Sequence, residues 1–233
     1  MKLCVINFSG NVGKPTLARH LLAPRLDQCS IIAVESINTD EESDDAMRGR
    51  QYRNLSESLG AEEAAVVDVG ASNVEDFLAG MRQLRGSHED FDAFVLPVTP
   101  PKKQQRDTVS TIETLAQMGV EPERIRVVLN LVENADDPHD IFGSLFAWQE
   151  KEELSATPRS VIRANELFGL LRGSERSIAD LVADDTDYRA AIRATSDSDE
   201  KLRLSRRLAM RRLALGVQED LDAAWDALWE DAA

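Results

Sequence analysis

Basic residues are in short supply in this chain of 233 residues. Lysine and arginine together number 27 against 42 aspartates and glutamates, so the formal net charge at pH 7 is −15. Nucleic acids are bound by clustered positive charge, and a negative surplus of this size argues against a nucleic-acid footprint over the whole chain. A local basic patch is still compatible with the composition.

Cysteine and histidine are also scarce. The two cysteines, Cys4 and Cys29, both lie beside apolar runs, which is typical of small core residues in a reducing cytosol. The sequence does not decide whether these two cysteines form a disulfide bond. The three histidines, His20, His88 and His139, are scattered. No Cys/His spacing therefore predicts a zinc site, and no nucleophile–base pair is recognisable.

Long apolar runs are absent. No run approaches the ~18 residues that a membrane-spanning helix needs. Residues 1–8 are too short for a signal peptide and already have the pattern of a strand. We therefore expect a cytoplasmic protein.

Short apolar runs alternate with helical patterns through the first two thirds of the chain. The runs are continuous in Val, Ile and Leu, as expected of parallel strands covered on both faces. The predicted strands are residues 3–8, 30–34, 64–69, 93–98 and 126–131, with a sixth near 160–162. The predicted helices between them are residues 16–25, 48–59, 74–84 and 107–118. This order predicts an α/β fold with a doubly wound, mostly parallel sheet that binds ligands at the carboxyl ends of its strands.

Beyond residue 164 the pattern changes to a helical extension. Short helices are predicted at residues 165–171 and 178–182, with acidic connectors between the elements. Residues 200–229 have the pattern of one long helix, or of a helix pair that breaks at Gly216. We therefore predict two domains, an α/β domain of residues 1–164 and a helical C-terminal extension of residues 165–233.

The most informative stretch is residues 9–16, which follow the first strand and precede the first helix. A Gly-bearing loop in this place, followed by Lys and a helix start, is typical of nucleotide binding, because backbone N–H groups and the helix N-terminus meet the phosphates there. The residues predicted to hold the nucleotide are Gly10, Asn11, Val12, Gly13, Lys14, Pro15 and Thr16. The alternative is a Gly-rich turn that only joins a strand to a helix.

Two positions depart from the strict pattern G-x-x-x-x-G-K-[ST]. Phe8 stands in place of the opening Gly, and Pro15 stands in place of the Ser or Thr whose hydroxyl holds Mg²⁺. Proline is tolerated in the first turn of a helix, so the backbone can keep its path. Thr16 offers a hydroxyl one residue later, in a different direction.

A carboxylate at the tip of the third strand completes the predicted metal site. Asp68 ends that strand, and an aspartate there commonly holds Mg²⁺, so Asp68 and Thr16 are the candidate metal ligands. Capping of the next turn is the alternative role for Asp68. Lys14 is the candidate catalytic cation.

Three further polar residues lie at predicted strand ends. Glu35 and Asp40 flank the end of the second strand and are candidates for orienting an attacking water, with exposed loop acids as the alternative. Asn130 ends the fifth strand, and its amide can both donate to and accept from the edge of an adenine. A turn-forming Asn is the alternative there.

Residues 201–212, from Lys201 to Arg212, hold six basic residues and no acid. Helices of this kind contact anionic lipid, nucleic acid or an acidic protein surface, so peripheral membrane attachment is one expectation. The alternative is a helix that packs on the core and pairs its arginines with the acidic body. No sequence-specific DNA-binding pattern is evident.

Residues 7–14 and 17–25 closely resemble StbB-type plasmid stability proteins, and the likeness extends to residues 177–181 and 187–189. More distantly, the first ~165 residues are similar to the ParA/MinD class of deviant P-loop ATPases. In that class, the positions that match Asp68 and Asn130 are the post-strand aspartate and the adenine-contacting Asn.

The resemblance implies ATP/ADP and Mg²⁺ as cofactors and an ATP-dependent switch in plasmid stability, partition or conjugative transfer. It also implies a homodimer that forms when ATP binds. The implied partner is a plasmid-maintenance protein, which is released when ATP is hydrolysed. Two departures bear on this activity, because the class has a signature Lys at the position of Ser9 and a Mg²⁺-binding Ser or Thr at Pro15.

Two other functions remain as alternatives. One is a non-hydrolysing pseudo-ATPase adaptor, which Pro15 favours. The other is a small-molecule kinase in which residues 201–212 act as an Arg-rich phosphate lid.

Overall fold

The computed structural model describes residues 1–34, 45–133, 135–151, 160–174 and 176–230. These residues form a six-stranded sheet in which the strand pairings are parallel. Its strands are β1 (Lys2–Val5), β2 (Ser30–Val34), β3 (Ala65–Val69), β4 (Ala93–Val98), β5 (Ile125–Val132) and β6 (Val161–Arg163).

The strand order is β2-β3-β1-β4-β5-β6, so β1 lies inside the sheet with β3 on one side and β4 on the other. Because β1 is the first strand of the chain and its neighbours come later, the connections cross over the sheet through helices. The loop after β1 consequently leaves the sheet between two neighbouring strand ends. The predicted doubly wound, parallel α/β fold is confirmed.

Helices connect the strands and form the C-terminal part of the chain. The first, α1 (Lys14–Thr16), continues directly as a π-helical segment (Leu17–Leu22) and a 3₁₀ turn (Ala23–Arg25). The others are α2 (Asp45–Ala61), α3 (Val74–Gln83), α4 (Lys102–Gln117), α5 (Pro138–Lys151), α6 (Glu166–Leu170), α7 (Ile178–Ala183), α8 (Tyr188–Ala194) and α9 (Ser198–Trp229).

The sheet carries an apolar core on each face. Successive side chains of a strand point to opposite faces, and in β1 Cys4 belongs to one apolar cluster while Leu3 and Val5 belong to the other. Helices α2 to α5 cover the first cluster, and the α1 continuation, α6, α7 and α9 cover the second. Strands β3, β4 and β5 are apolar nearly throughout because both of their faces are covered, whereas Ile31 on the edge strand β2 is 45 % exposed.

The C-terminal helix α9 is bound to the sheet along its second half. Val217, Leu221 and Leu228 are buried in the second cluster, and the Ser160 hydroxyl donates to the carbonyl of Ala224 at 2.7 Å. The Arg126 guanidinium on β5 lies 5.5 Å from the ring centre of Trp229. The helices beyond residue 164 share an apolar core with the sheet. The domain boundary between residues 164 and 165 stays a prediction.

Several element boundaries differ from the predicted ones. Strand β1 ends at Val5, three residues earlier than predicted, and helix α4 begins at Lys102 instead of residue 107. Helix α9 is a single helix of 32 residues, and Gly216 lies inside it without a break. Gly216 has no neighbour within 4 Å of where a side chain would begin, so an exposed helical surface tolerates it at a cost of about 1 kcal/mol.

Two helices were not predicted. Helix α5 begins at Pro138, where the Asp137 carboxylate accepts from the backbone N–H of His139 at 2.9 Å. Helix α8 begins after Asp187, whose side chain accepts from the backbone N–H of Ala190. Both starts have a side-chain cap, and two acidic residues of the predicted connectors, Asp187 and Asp197, are helix caps.

Among the described residues, no helix combines the length and apolarity needed to cross a membrane. Cys4 and Cys29 are both free, so the pairing that the sequence left open does not form. Burial raises the pKa of the Cys4 thiol well above its ordinary value, as expected of a small core residue.

Candidate functional site

The loop between β1 and α1 is held by buried polar contacts at its first residues. Asn7 is fully buried, and its amide nitrogen donates to the Pro97 carbonyl at 2.9 Å and to the Thr108 hydroxyl at 2.8 Å. The Asn7 side-chain oxygen accepts from the backbone N–H of Ser9 at 2.8 Å. One side chain therefore ties the loop to the end of β4 and to α4, which explains why β1 stops before it.

Helix α4 makes two more contacts to the same loop. The Thr111 hydroxyl accepts from the backbone N–H of Phe8 at 3.2 Å, and the Ser9 hydroxyl donates to the Asp107 carboxylate. Lys103 pairs with Asp107 at 2.7 Å. The pKa of Asp107 is lowered, first by the hydrogen bond from Lys103 and then by the one from Ser9.

Gly13 has a backbone conformation that requires glycine. Its φ is 90°, in the left-handed region, where a side chain is sterically disfavoured. A Cβ at this position would also overlap the amide nitrogen of Asn130. That nitrogen donates to the carbonyl of Val12 at 2.8 Å, so Asn130 closes against the loop from the end of β5.

The Asn130 contact bears on its predicted role toward adenine. Asn130 is buried, with 2 % of its surface exposed, and the donor group of its amide is engaged with Val12. The sequence left open whether this amide contacts a base edge or forms a turn, and in the structure its nitrogen holds the loop through Val12. Contact with adenine stays a prediction.

Lys14 is buried at the start of α1, with 4 % of its surface exposed. Its Nζ donates to the carbonyls of Asn7 at 3.0 Å and of Ser9 at 2.9 Å. Burial lowers the pKa of Lys14 to about 8, and the nearby negative charge of Asp68 partly opposes this shift. A poorly hydrated ammonium group that contacts only two backbone carbonyls of the loop is suited to binding an anion.

The segment that follows Asp68 is linked to the end of β2. The Val34 carbonyl accepts from the backbone N–H of Gly70 at 3.2 Å and from the Asn73 amide at 2.8 Å. Gly70 is the close-approach position here, because a Cβ on it would lie 3.2 Å from the same carbonyl. Movement of the chain at Asp68 would therefore be transmitted to the residue at which β2 ends.

Pro15 is compatible with the helix start but supplies neither a hydroxyl nor an N–H. It lies in the first turn of α1, where its missing N–H interrupts no intrahelical hydrogen bond. The backbone N–H of Leu17 bonds to the carbonyl of Gly13 at 3.0 Å. The helix therefore begins at Lys14 with Pro15 in its first turn, and the chemical differences from Ser or Thr are the absent hydroxyl and the absent N–H.

A cavity of about 750 Å³ contains most of the predicted site, a volume in the range of small-molecule binding sites. Four segments line it, each at the carboxyl edge of the sheet. They are residues 10–16 with Arg19 and His20, then Asp68, Gly70 and Ala71, then Asn130 and Leu131, and finally Phe168, Gly169, Leu171, Arg172 and Gly173. The predicted nucleotide and metal residues thus meet in one place.

The cavity wall offers two oxygen-bearing side chains suited to Mg²⁺. No cluster of three His, Cys, Asp or Glu side chains occurs within the described residues, and a Mg²⁺ bound with a nucleotide needs only one or two protein ligands beside phosphate oxygens and waters. The Asp68 carboxylate and the Thr16 side chain both line the cavity. The residues present fit a Mg²⁺–nucleotide complex, with one hydroxyl fewer than the strict pattern supplies.

The remaining predicted residues have two different outcomes. Glu35 and Asp40 fall outside the described residues, so their proposed part in catalysis stays a prediction. The basic stretch of residues 201–212 lies in the first half of α9, beside α7 and α8, and contributes no residue to the cavity wall. Leu204 in this stretch is buried, whereas Leu215, just beyond it, is 44 % exposed.

Sequence reasoning missed several residues in and around the site, among them Asn7, Arg19, His20 and Phe168. These four carried no recognisable pattern, although Asn7, Arg19 and His20 stand in stretches that resemble a known family. The Arg19 guanidinium donates to the Ser174 carbonyl, and the rings of His20 and Phe168 lie 6.0 Å apart, centre to centre. These contacts join residues far apart in the chain, which a sequence pattern does not reveal.

His20 lies at the cavity in the uncharged state. Burial, with a smaller contribution from the charge of Arg19, lowers the pKa of its imidazole to about 4. Its Nδ1 atom is buried and has no hydrogen-bond partner among the described residues.

No protein-family model and no curated protein sequence matches the chain. Solved structures do match. Apo McdA from Cyanothece has a TM-score of 0.54 at 14% identity, over 92% of this chain and 99% of McdA. The MinD cell division protein of Aquifex aeolicus has a TM-score of 0.50 at 16% identity, over 89% of this chain and 96% of MinD.

A third structure extends this likeness. The MinC:MinD cell division protein complex of Aquifex aeolicus matches with a TM-score of 0.51 at 15% identity, over 89% of this chain and 95% of that one. Identities this low show a shared fold alone. The chain has the α/β fold of MinD-like P-loop NTPases, with a C-terminal helix.

The low pKa of His20 predicts a pH dependence of stability. The folded-state pKa of about 4 lies below the ordinary value of 6.5, so between these values the unfolded chain binds more protons than the folded one. The free energy of unfolding should therefore fall as the pH decreases from 6.5 to 4, by up to about 1.4 kcal/mol per pH unit from His20.

Urea unfolding of the wild type and of His20→Asn across this pH range measures the effect. Carboxylates also titrate near its lower end, and they contribute equally to both proteins. The difference between the two curves isolates His20. Parallel curves for the two proteins would contradict the prediction.

Proposed function

We propose that this protein binds ATP and ADP with Mg²⁺ in the cavity and works as a nucleotide-dependent switch. The observation that carries the proposal is the position of Lys14. Its buried ammonium lies at the start of α1, in a loop whose Gly13 is fixed in the left-handed conformation. Asp68 lines the same cavity.

The loop would hold the phosphates through its backbone. Residues 10–16 present successive N–H groups, except at Pro15, and the helix that begins at Lys14 adds its positive end. The Lys14 Nζ, which now bonds to two carbonyls, would exchange one or both for phosphate oxygens. Because the ammonium is already desolvated, this exchange needs little further loss of water.

Asp68 and Thr16 would hold Mg²⁺ through a carboxylate and a hydroxyl. When bound, Mg²⁺ neutralises charge on the phosphate oxygens and orients the terminal phosphate. The segment that follows Asp68 would connect the metal site to β2. Through Gly70 and Asn73 this segment is bonded to the end of β2, so nucleotide occupancy would be transmitted to that strand end.

The biological setting that we propose is plasmid stability, partition or conjugative transfer. It is supported by the resemblance of residues 7–14 and 17–25 to StbB-type proteins, and the shared fold with McdA and MinD is compatible with it. The solved MinC:MinD complex shows that a protein of this fold binds a protein partner. We accordingly propose a homodimer and a plasmid-maintenance protein as the partner.

Cells that carry the plasmid but lack this gene should lose the plasmid more often. The measurement is the fraction of plasmid-free colonies after growth without selection, with the gene restored in trans as the control. Equal loss with and without the gene would contradict the plasmid role and leave nucleotide binding untouched.

Lys14 provides the direct test of nucleotide binding. We expect ATP and ADP to bind in the micromolar range, and Lys14→Ala to weaken binding by about 100-fold, because a charge-assisted contact to phosphate contributes about 1.5–3 kcal/mol. Calorimetry with and without Mg²⁺ measures this. Lys14→Gln keeps most of the side-chain volume, in case the alanine variant unfolds.

Lys2→Ala is the matched control. It removes the same charge from the opposite end of β1 and should leave binding unchanged. Wild-type protein that binds neither nucleotide, or a Lys14→Gln variant that binds as the wild type does, would overturn the proposal.

Pro15 favours a second candidate, a pseudo-ATPase adaptor that binds nucleotide without turnover. We expect slow or absent ATP hydrolysis by the wild type, because the hydroxyl that helps to hold Mg²⁺ is missing. Pro15→Thr should increase both hydrolysis and the Mg²⁺ dependence of binding, measured as phosphate release and by calorimetry. Wild-type turnover of ~1 per second or faster, a rate in the ordinary enzyme range, would exclude the adaptor.

The kinase alternative gains nothing from the structure, because residues 201–212 do not line the cavity. Contact of this stretch with anionic lipid or nucleic acid stays a prediction. Part of its charge is already compensated within the protein, since Arg203 pairs with Glu200 and Arg211 donates to the Thr186 carbonyl.

A further inference from the structure

Arg126 is buried without a charged partner among the described residues. It is the second residue of β5 and is 7 % exposed. No ion pair of the described residues includes it, and its Nε has no hydrogen-bond partner there. Arginine is seldom buried unless it is paired, because a desolvated charge without an anion is costly. In a chain with 42 acidic residues, such an arginine points to an anion that comes from outside this part of the fold.

The end of the side chain lies against an aromatic pair on α9. The guanidinium carbon is 5.5 Å from the ring centre of Trp229, and Trp229 meets Trp225 edge to face, with 5.4 Å between the ring centres. Both tryptophans are half-buried. A cation–π contact uses no hydrogen-bond donor, so the N–H groups of Nη1 and Nη2 stay available. Nε is sealed from solvent, whereas neither Nη atom is a sealed atom without a partner, so a ligand can reach the tip of the guanidinium.

This site is separate from the nucleotide cavity. Arg126 lies at the start of β5, and Asn130, which contacts the loop after β1, lies near its other end. Four residues of extended strand separate the two positions by about 13 Å. Neither Arg126 nor Trp229 lines the cavity. A ligand of Arg126 is therefore a different molecule or group from the proposed nucleotide.

We propose that Arg126 binds a carboxylate beside the ring of Trp229. One guanidinium carries one positive charge, and its paired N–H groups match the two oxygens of a carboxylate. A phosphate dianion would leave a negative charge uncompensated there, in a chain whose net charge is −15. The carboxylate belongs either to a small free acid or to a side chain or chain end of another protein. The tryptophan surface favours a carboxylate that carries an apolar group.

Thermal unfolding at neutral pH in sodium acetate tests the site, with sodium chloride of equal ionic strength as the reference. About 100 mM acetate should raise the wild-type Tm by about 2–4 °C relative to chloride, as expected for a dissociation constant of about 20 mM. Acetamide has a similar shape without the charge and should have no effect. An equal Tm in acetate and chloride, with no response to the larger acids named below, would overturn the proposal.

Two substitutions of Arg126 separate binding from a structural role. Arg126→Met keeps the apolar length and removes the charge, and Arg126→Lys keeps the charge without the paired N–H groups. Both should lose the acetate response. Because methionine needs no anion, Arg126→Met in chloride should unfold no more than about 2 °C below the wild type, or above it. A fall of about 6 °C or more, the size expected when a paired arginine is removed, would show that the protein itself supplies the anion, and the proposal would be wrong.

Arg124, two positions earlier, is the matched control. Its guanidinium donates to the carbonyls of His88 and Phe91, so its hydrogen bonds are made within the fold. Arg124→Met should lower the Tm and keep the full acetate response. If Arg124→Met abolishes that response as Arg126→Met does, the effect of acetate is not specific to Arg126.

The indole N–H signals of the three tryptophans provide a spectroscopic test of contact. Acetate should shift the NMR signals of Trp229 and Trp225 and leave that of Trp148, on α5 and beside the other apolar cluster, unchanged. Arg126→Met should abolish the shifts. Equal shifts of all three signals would contradict a local site.

Two larger acids distinguish the sources of the carboxylate. N-acetylleucine presents a chain-end carboxylate beside an apolar side chain, and N-acetylglutamate α-amide presents a side-chain carboxylate. Binding at least tenfold tighter than that of acetate by either one indicates a protein segment, and binding no tighter than acetate indicates a small free acid. Lys14→Gln should respond to all three acids as the wild type does, so the result is independent of nucleotide binding.

Discussion

The close approach of Gly13 and Asn130 is the constraint on which the site depends. The backbone turns through a left-handed conformation at Gly13, and the Asn130 amide fills the space that a side chain would need. This contact brings the end of β5 against the loop that follows β1, although β4 lies between the two strands. With the loop held in this way, α1 starts at Lys14, and the ammonium group donates to two loop carbonyls, those of Asn7 and Ser9.

The local charge of the site contrasts with that of the whole chain. A protein with a net charge of −15 repels polyphosphates at long range, so an anion site must be built from short-range groups. Lys14, the helix start and the loop amides supply these groups where water is excluded. Asp68 is close enough to affect the pKa of Lys14, and a bound metal ion would separate that carboxylate from the phosphates.

The C-terminal part of the chain contributes to the site as well as to the core. Helix α9 buries one face of the sheet, and α6 brings Phe168 to the cavity wall. The Arg19 contacts fix the turn after α6 to the helix that carries Lys14. Nucleotide-dependent movement of the loop would therefore reach the C-terminal helices through packed and hydrogen-bonded contacts, as well as β2 through Val34.

The sequence alone determined the fold class and the six strands with most of the helices between them, because apolar runs and helical periodicity are local properties of the chain. It also located residues 10–16 and Asp68, since a loop between a strand and a helix has a recognisable pattern. It missed α5, for which no helix was predicted, and α8, whose cap Asp187 lies in an acidic stretch interpreted as a connector. The predicted β1 ran three residues too far, because Asn7 and Ser9 bond to α4 instead of continuing the strand. The predicted α4 began five residues too late.

Tertiary structure decided which side chains meet. From the sequence, the Asn130 amide could contact a base or form a turn, and only folding shows that its nitrogen donates to Val12, which lies 118 positions away. The pairing of His20 with Phe168 and the burial that keeps His20 neutral likewise depend on packing between distant segments. Short-range patterns fix local conformation, whereas contacts across the chain and the loss of water around them exist only once the sheet has brought its strand ends together.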